Sequence, residues 1–322
     1  MRVLSYADVV RALPMRDCIA AMEKTLIGLV EGEFFQPLRT RTRPEGSPNW
    51  ITCMPSLRLR GPRLWALKEM AVTPENPNRG LDPIQGAVLL HDGDDGRLIA
   101  LVNAPALTAI RTAAVSAVAT QRLAPPAVRR VAIIGAGVQG RAHIEAMRVL
   151  YPAAEIRVWS RAAERAAALA DEMDCRAVPT IAAALANAEV VCTVTASSEA
   201  ITRREWFAPN THVNAVGSSG PLTREIDGAT LAAAAFFVDR RESTINESGD
   251  YLFALKEGAI GGPEHIRAEL GEVLTGRHPG RGSPDEFTLF KSLGIAIEDL
   301  VAAELAVANA RARGLGVECE WQ

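Results

Sequence analysis

Residues 135–140 read Gly-Ala-Gly-Val-Gln-Gly and set Gly135, Gly137 and Gly140 at G-x-G-x-x-G spacing. The motif follows the apolar run RRVAII and opens VQGRAHIEAMRVL, a segment with helical periodicity. That strand–turn–helix context separates a dinucleotide site from a chance match. Gly135 suits the tight turn, Gly137 lets backbone approach a pyrophosphate, and Gly140 lets helix and strand pack closely. The first helical amides, around Val138, Gln139 and Gly140, would then face the phosphates. The next strand, IRVWSR, ends at Ser160 and Arg161, with Arg165 about one turn further on. An acid at this place would accept the ribose 2′-OH. A hydroxyl beside guanidinium groups suits a 2′-phosphate, so NADP(H) is the expected cofactor and NAD(H) the alternative. Against this stands the plainer reading that both arginines are solvated surface charges.

A second set of cationic residues precedes this motif. QPLRTRTRP holds Arg39, Arg41 and Arg43, which at strand spacing share one face. Three like charges there either meet an anion or line an exposed edge strand. Lys68 sits among apolar residues in RLWALKEM, so its strand is expected to be half buried. Arg111 sits in TAIRTAA, inside a helix otherwise made of small residues. Guanidinium groups bind a carboxylate in bidentate fashion. A lysine that is partly desolvated should have a depressed pKa. Such an amine donates or relays a proton near neutral pH, or serves only as an electrostatic ligand.

Several elements must position these residues. Residues 14–31 have helical periodicity, with Pro14 to open and Gly32 to close the helix. FFQPLRTRTR, NWITCMP, RLWALKEM and the hairpin GAVLLHDGDDGRLIALVN read as strands. Residues 1–104 are therefore expected to be α+β with a largely antiparallel sheet, followed by a helix over 105–124. From residue 129 short apolar runs alternate with Ala-rich helical segments, the pattern of an α/β, doubly wound parallel sheet. LFKSLGIAIEDLVAAELAVANARARG reads as one long amphipathic helix with Gly314 as its stop, and 72–85 and 241–262 read as loops.

The 322 residues suggest two domains, and 48% hydrophobic with 23% charged residues is an ordinary globular composition. A net charge of −3 gives no reason to expect nucleic acid or a membrane surface as partner. The cysteines at 18, 53, 175, 192 and 319 form no CxxC pair or Cys/His cluster, so no metal is expected and Cys192 reads as a buried thiol. MRVLSYADVV does not resemble a signal peptide and no apolar run reaches the roughly 18 residues of a membrane span. The expectation is a cytoplasmic, reduced protein.

QPLRT, the Met-Pro pair at 54–55, LWALKEM, LTAIRTAAVSAVAT, GAGVQG, NAVGSSGP, REID, ESGD and FKSLGIAIEDLVAA together resemble the ornithine cyclodeaminase/mu-crystallin family, in order and over nearly the whole chain. The resemblance implies a Rossmann domain inserted into an α+β substrate and dimerisation domain. The inserted NAD(P)-binding domain would span 119–294, and the other domain 1–118 plus 295–322, with the active site in the cleft and a homodimer as the assembly. It implies that Arg39, Lys68 and Arg111 surround the substrate carboxylate and reacting nitrogen. It also implies that Thr112, Thr195, Ser197, Ser218 and Lys291 line the cofactor. Deaminating relatives carry an Asp after the NAxG strand, where this chain has Ser219. Relatives of the ornithine-cyclising type also tend to have an acid just before the Met-Pro pair, where this chain has Thr52 and Cys53. Serine is a poor base but can hydrogen-bond an imine nitrogen. The resemblance therefore favours an NAD(P)H-dependent oxidoreductase that reduces a ketimine or cyclic imine-2-carboxylate to the L-amino acid. A true ornithine cyclodeaminase, another amino-acid dehydrogenase of the family, or a cofactor-bound small-ligand binding protein are the alternatives.

Overall fold

The computed structural model describes residues 1–321. In chain order the first elements are β1 (Arg2–Leu4), α1 (Tyr6–Ala12), α2 (Met15–Val30), β2 (Phe34–Phe35), β3 (Thr40–Thr42), β4 (Trp50–Arg58), β5 (Leu64–Val72), β6 (Ile84–Asp92), β7 (Leu98–Asn103) and α3 (Ala104–Leu123). There follow β8 (Arg130–Ile134), α4 (Val138–Leu150), β9 (Glu155–Trp159), α5 (Ala163–Glu172), β10 (Arg176–Ala177), α6 (Ile181–Leu185), β11 (Val190–Thr193) and β12 (His212–Ala215). The last are α7 (Gly228–Ala233), β13 (Ala235–Val238), α8 (Arg241–Glu247), α9 (Gly249–Lys256), β14 (Ile266–Glu269), α10 (Leu270–Leu274), β15 (Thr288–Lys291), α11 (Ala296–Arg313) and β16 (Val317–Glu318). Two compact units result: Met1–Arg111 with the residues from Ile295 on, and Thr112–Gly294.

The first unit holds a sheet in the order β16-β1-β7-β6-β5-β4-β2, with β3 added on β4. Its pairs are antiparallel except β1 with β7. Period-two alternation sends Met54, Ala66, Val88, Leu90 and Val102 to one face, where they are buried. α11 crosses β4, β5 and β6 on that face and packs in turn on α1 and α2. Gly32, at φ +72° just past α2, takes the left-handed conformation that ends a helix without a Cβ penalty.

The second unit is a parallel sheet in the order β10-β9-β8-β11-β12-β15-β13-β14. β8 starts it. The chain first winds outward through β9 and β10, then returns to the other side of β8 with β11 and β12. This reversal beside β8 is the switch point at which doubly wound sheets bind ligands, outside the carboxyl ends of the strands. All four residues of each of β11, β12, β13 and β15 are buried. Strands covered on both faces read as continuous apolar runs for that reason.

Two sequence expectations fail here. The segment 289–314 is not one helix. Its start belongs to β15, where Thr288, Leu289, Phe290 and Lys291 are all buried between β12 and β13. Gly294, at φ +73°, breaks the chain before α11. The apolar spacing of the two pieces runs on without interruption, which hides the junction. Residues 241–256 are two helices, α8 and α9, and not a loop. No helix among the described residues is long and apolar enough to cross a membrane.

Two histidines are built into the second unit. His143, on α4, shares hydrogen bonds with the Ser116 hydroxyl at 2.9 Å and the Gln139 carbonyl at 2.8 Å. His212, on β12, meets Thr288 at 2.9 Å and Asn214 at 3.2 Å. Burial pushes the His143 pKa down to about 4 and the His212 pKa down to about 3, the latter helped by the charge of Arg281. A pKa depressed in the fold contributes stability that is complete above the unfolded value of 6.5 and is lost as pH falls through the folded value. Urea midpoints should therefore fall as pH drops from 6.5 towards 4, and His143→Gln should flatten the upper part of that fall. Identical pH slopes for the variant and the parent would contradict this assignment.

Candidate functional site

In the first unit, register places Lys68 in a cross-strand row with Met54, Val88 and Val102. Every other member of the row is apolar, and Lys68 itself is 1% exposed, more deeply buried than its sequence suggested. A buried ammonium needs a close counter-charge. It comes from α11: Lys68 Nζ donates to Asp299 Oδ1 at 2.9 Å. The same oxygen accepts Arg111 Nε at 2.9 Å, while Arg111 Nη1 donates to Glu298 Oε2 at 2.7 Å. Glu298 and Asp299 are themselves fully buried. Both lie in the first turn of α11, where the helix dipole favours negative charge. Burial lowers the Lys68 pKa and Asp299 opposes it, while Arg111 and Arg39 lower it further. The result is a pKa of about 8.

The three arginines of QPLRTRTRP do not share a strand face. Pro37 and Pro44 confine β3 to three residues, so that only Arg41 lies in it, exposed at the sheet edge. Arg43 lies over the Trp50 ring at 5.9 Å and donates to the Ser47 carbonyl. Arg39 is half-buried between β2 and β3, and its charge acts on Lys68.

The second unit carries the glycine loop after β8. Gly135 has φ +127°, and a Cβ there would lie 2.8 Å from the Val194 carbonyl oxygen. A Cβ on Gly140 would lie 2.1 Å from the Gly135 carbonyl oxygen. Gly137 faces open space, and the helix it caps has no side-chain cap. The first amides of α4, including those of Val138 and Gln139, thus stand beside open space, as a pyrophosphate requires. Ser160 is half-buried at the end of β9. Arg161 and Arg165 are exposed and make no ion pair among the described residues. The cradle therefore fits a dinucleotide, and the guanidinium groups of Arg161 and Arg165 beyond β9 are open to solvent.

The loops after β11 and β12 are tied by an acid that the sequence reading passed over. Glu225 is fully buried and accepts from the Thr193 hydroxyl at 2.8 Å, the Thr195 amide at 2.6 Å, the Thr195 hydroxyl at 2.7 Å and the Gly217 amide at 2.7 Å. Burial nonetheless raises its pKa. Asp250 accepts the Glu225 and Ile226 amides and pairs with Lys291 Nζ at 2.8 Å. Lys291 also donates to the Ser218 carbonyl at 2.6 Å. The Ser218 hydroxyl bonds Thr223, and the Ser197 hydroxyl bonds the Glu199 carbonyl. Ser218 and Lys291 thus act inside the unit. Thr112 is buried, and Ser219 is exposed on the loop beyond β12. No group of three or more potential metal-binding His, Cys, Asp or Glu side chains exists among the described residues.

Glu298, Asp299, Glu225 and Asp250 are the functional candidates that sequence reasoning missed. Two adjacent acids within the apolar stretch GIAIEDLVAA were the available signal, because buried acids in a helix need cations. Arg111, which the resemblance assigned to the substrate carboxylate, is thus also held by two protein carboxylates. Breaking a buried pair by removing one partner costs about 3–5 kcal/mol. Arg111→Ala should lose stability on that scale by urea unfolding. A loss below about 1 kcal/mol would show that the pair is not formed.

Residues 1–314 match the family model described as the ornithine cyclodeaminase/mu-crystallin family. The chain is 38% identical over 277 residues to the ketimine reductase mu-crystallin of Mus musculus, covering 85% of each chain. It is 33% identical over 306 residues to the Delta(1)-pyrroline-2-carboxylate reductase of Paracoccus denitrificans, covering 93% of this chain and 94% of that one. The solved structure of Thermococcus litoralis Delta(1)-pyrroline-2-carboxylate reductase in complex with NADH and L-proline superposes with a TM-score of 0.93 at 34% identity, over 99% of this chain and 100% of that one. An archaeal alanine dehydrogenase dimer with bound NAD also gives a TM-score of 0.93, at 27% identity over 100% and 99% of the chains. With the glycine cradle, the doubly wound sheet and the buried lysine already placed, these matches make the chain a member of the ornithine cyclodeaminase/mu-crystallin family.

Proposed function

We propose that the chain is an NAD(P)H-dependent oxidoreductase that reduces a cyclic imine-2-carboxylate, of the pyrroline- or piperideine-2-carboxylate type, to the L-amino acid. Relatives named as ketimine and pyrroline-2-carboxylate reductases, alike over most of the chain, support the reaction class. The observation that carries the reading is Lys68, a buried amine beside Arg111 and acted on by Arg39, with a pKa of about 8. It is protonated at neutral pH yet close enough to its pKa to give the proton up.

An imine accepts hydride readily only when its nitrogen is protonated. Lys68 transfers that proton to the ring nitrogen, and solvent restores it after turnover. Arg39 and Arg111 hold the carboxylate, which orients the C=N bond. Lys68, Arg111 and Arg39 are three formal cations against Glu298 and Asp299, so the group carries one net positive charge, the complement of one carboxylate. Bound NAD(P)H supplies the hydride to the imine carbon. Reduction of a preformed imine needs no base to strip an ammonium group, and the exposed Ser219 hydroxyl supplies none.

Ser160, Arg161 and Arg165 support a preference for NADP(H), with NAD(H) as the weaker alternative. A homodimer is the assembly this reading carries, supported by the exposed apolar residues Ile51 and Trp65 on the first unit's sheet and by the dimeric archaeal relative. The free thiols support a reducing, cytoplasmic setting.

The test is cofactor oxidation against a panel of cyclic imines, with ammonia release from L-ornithine followed in parallel. Imine reduction should dominate, and NADPH should outperform NADH about tenfold, because a charge-assisted bond contributes about 1.5–3 kcal/mol. Arg161→Ala should remove most of that preference. Proline and ammonia appearing from ornithine as fast as the imine is reduced would overturn the reading in favour of a cyclodeaminase.

A further inference from the structure

The chain has 31 arginines but only four lysines, at 24, 68, 256 and 291. Arginine stays charged at every accessible pH, whereas lysine can lose its proton. Lys68 is therefore a titratable cation in a chain that answers most of its acids with arginine, the buried Lys291–Asp250 pair being a second exception. Its surroundings press it to deprotonate. The row on its own sheet offers Met54 from β4 and Val88 from β6 and no charge. Arg111 on α3 and Arg39 ahead of β3 both oppose the ammonium. Cys18 on α2 lies within the electrostatic reach of Arg111 and Glu298, but burial keeps its thiol protonated. Glu298 is engaged with Arg111 through Nη1. The carboxylate that contacts Nζ is Asp299, at 2.9 Å. Its Oδ1 is shared between Lys68 and Arg111, and its buried Oδ2 has no hydrogen-bond partner among the described residues. Lys68 and Arg111 are thus the side chains that donate to this carboxylate.

We propose that Asp299 is a positioning residue that holds Lys68 in its protonated, reactive state and fixes Arg111 against it from the first turn of α11. The proposal rests on the reductase reading for its consequence in catalysis, but not for its electrostatics. Asp299 touches neither hydride nor carboxylate in this scheme. It acts through Lys68, as the negative charge that opposes burial and two guanidinium groups and keeps the ammonium pKa from falling below about 8. Removing that charge leaves Lys68 uncharged near neutral pH, and proton transfer to the imine then fails at pH values where the parent enzyme works.

The full-length protein, labelled with 13C-lysine, gives few enough lysine signals to assign by single substitutions. The Lys68 signal should titrate near pH 8 in the parent protein and at least about one pH unit lower in Asp299→Asn, because an opposite charge at this distance shifts a pKa by about one to three units. The Lys291 signal, from the other buried pair, should not differ between the two. The alkaline limb of kcat/KM for imine reduction should move down by the same amount, with roughly tenfold loss at pH 8 and near-parent rates recovered at lower pH. A purely structural role would lower activity at all pH values without moving the limb. Asp299→Ser serves if the Asn variant does not fold, with the same expected shift. An unchanged Lys68 midpoint in a folded variant overturns the proposal whatever the enzyme's substrate. A shifted midpoint without imine reduction in the parent protein upholds the proposal and sinks the reductase reading instead.

Discussion

One carboxylate oxygen, Asp299 Oδ1, accepts a hydrogen bond from both Lys68 and Arg111 inside the first unit. The fold around it is arranged to make that possible. β5 carries Lys68 on its buried face, α3 brings Arg111, and α11 starts at this point because Gly294 ends the preceding strand segment. Buried ion pairs seldom add stability over an apolar replacement, since desolvation offsets the attraction. On the proposed reading, the cluster keeps one proton available on Lys68 beside two guanidinium groups.

The second unit shows the same economy of buried charge applied to backbone. Glu225 accepts four hydrogen bonds from the ends of β11 and β12, and Asp250 takes up two more amides while pairing with Lys291. These contacts hold the loops at the carboxyl end of the sheet, beside the glycine turn. A dinucleotide cradle needs fixed amides, because a mobile loop would have to be ordered on each binding event. The glycine loop supplies the close approach, and the buried acids supply the rigidity.

Much of this was legible in the sequence where one local rule acted alone. The glycine spacing, the alternating strands of the first sheet and the apolar runs of the second each follow from a single periodicity. What the sequence hid lay where two rules met. At 288–296 a buried strand runs directly into a helix, and both are apolar, so no change of period marks the junction. The arginines of QPLRTRTRP look like one strand face until Pro37 and Pro44 are weighed. Arg111 read as the anchor for a substrate carboxylate, and its protein partners, Glu298 and Asp299, were hidden because they lie nearly 190 residues away in sequence. Lys68 was recognisable as an oddity in an apolar strand, but only three dimensions show which carboxylate it answers.

The account turns on Lys68 as the proton donor, and Lys68→Met tests it most directly. Methionine keeps most of the length and the unbranched apolar stem but cannot carry a proton. Titration of NADPH by fluorescence, alongside kcat/KM for the best cyclic imine, separates binding from chemistry. The account predicts cofactor affinity within about twofold of the parent and a fall in kcat/KM of about a hundredfold or more, the range of general acid catalysis. A variant that reduces the imine at close to the parent rate would contradict it.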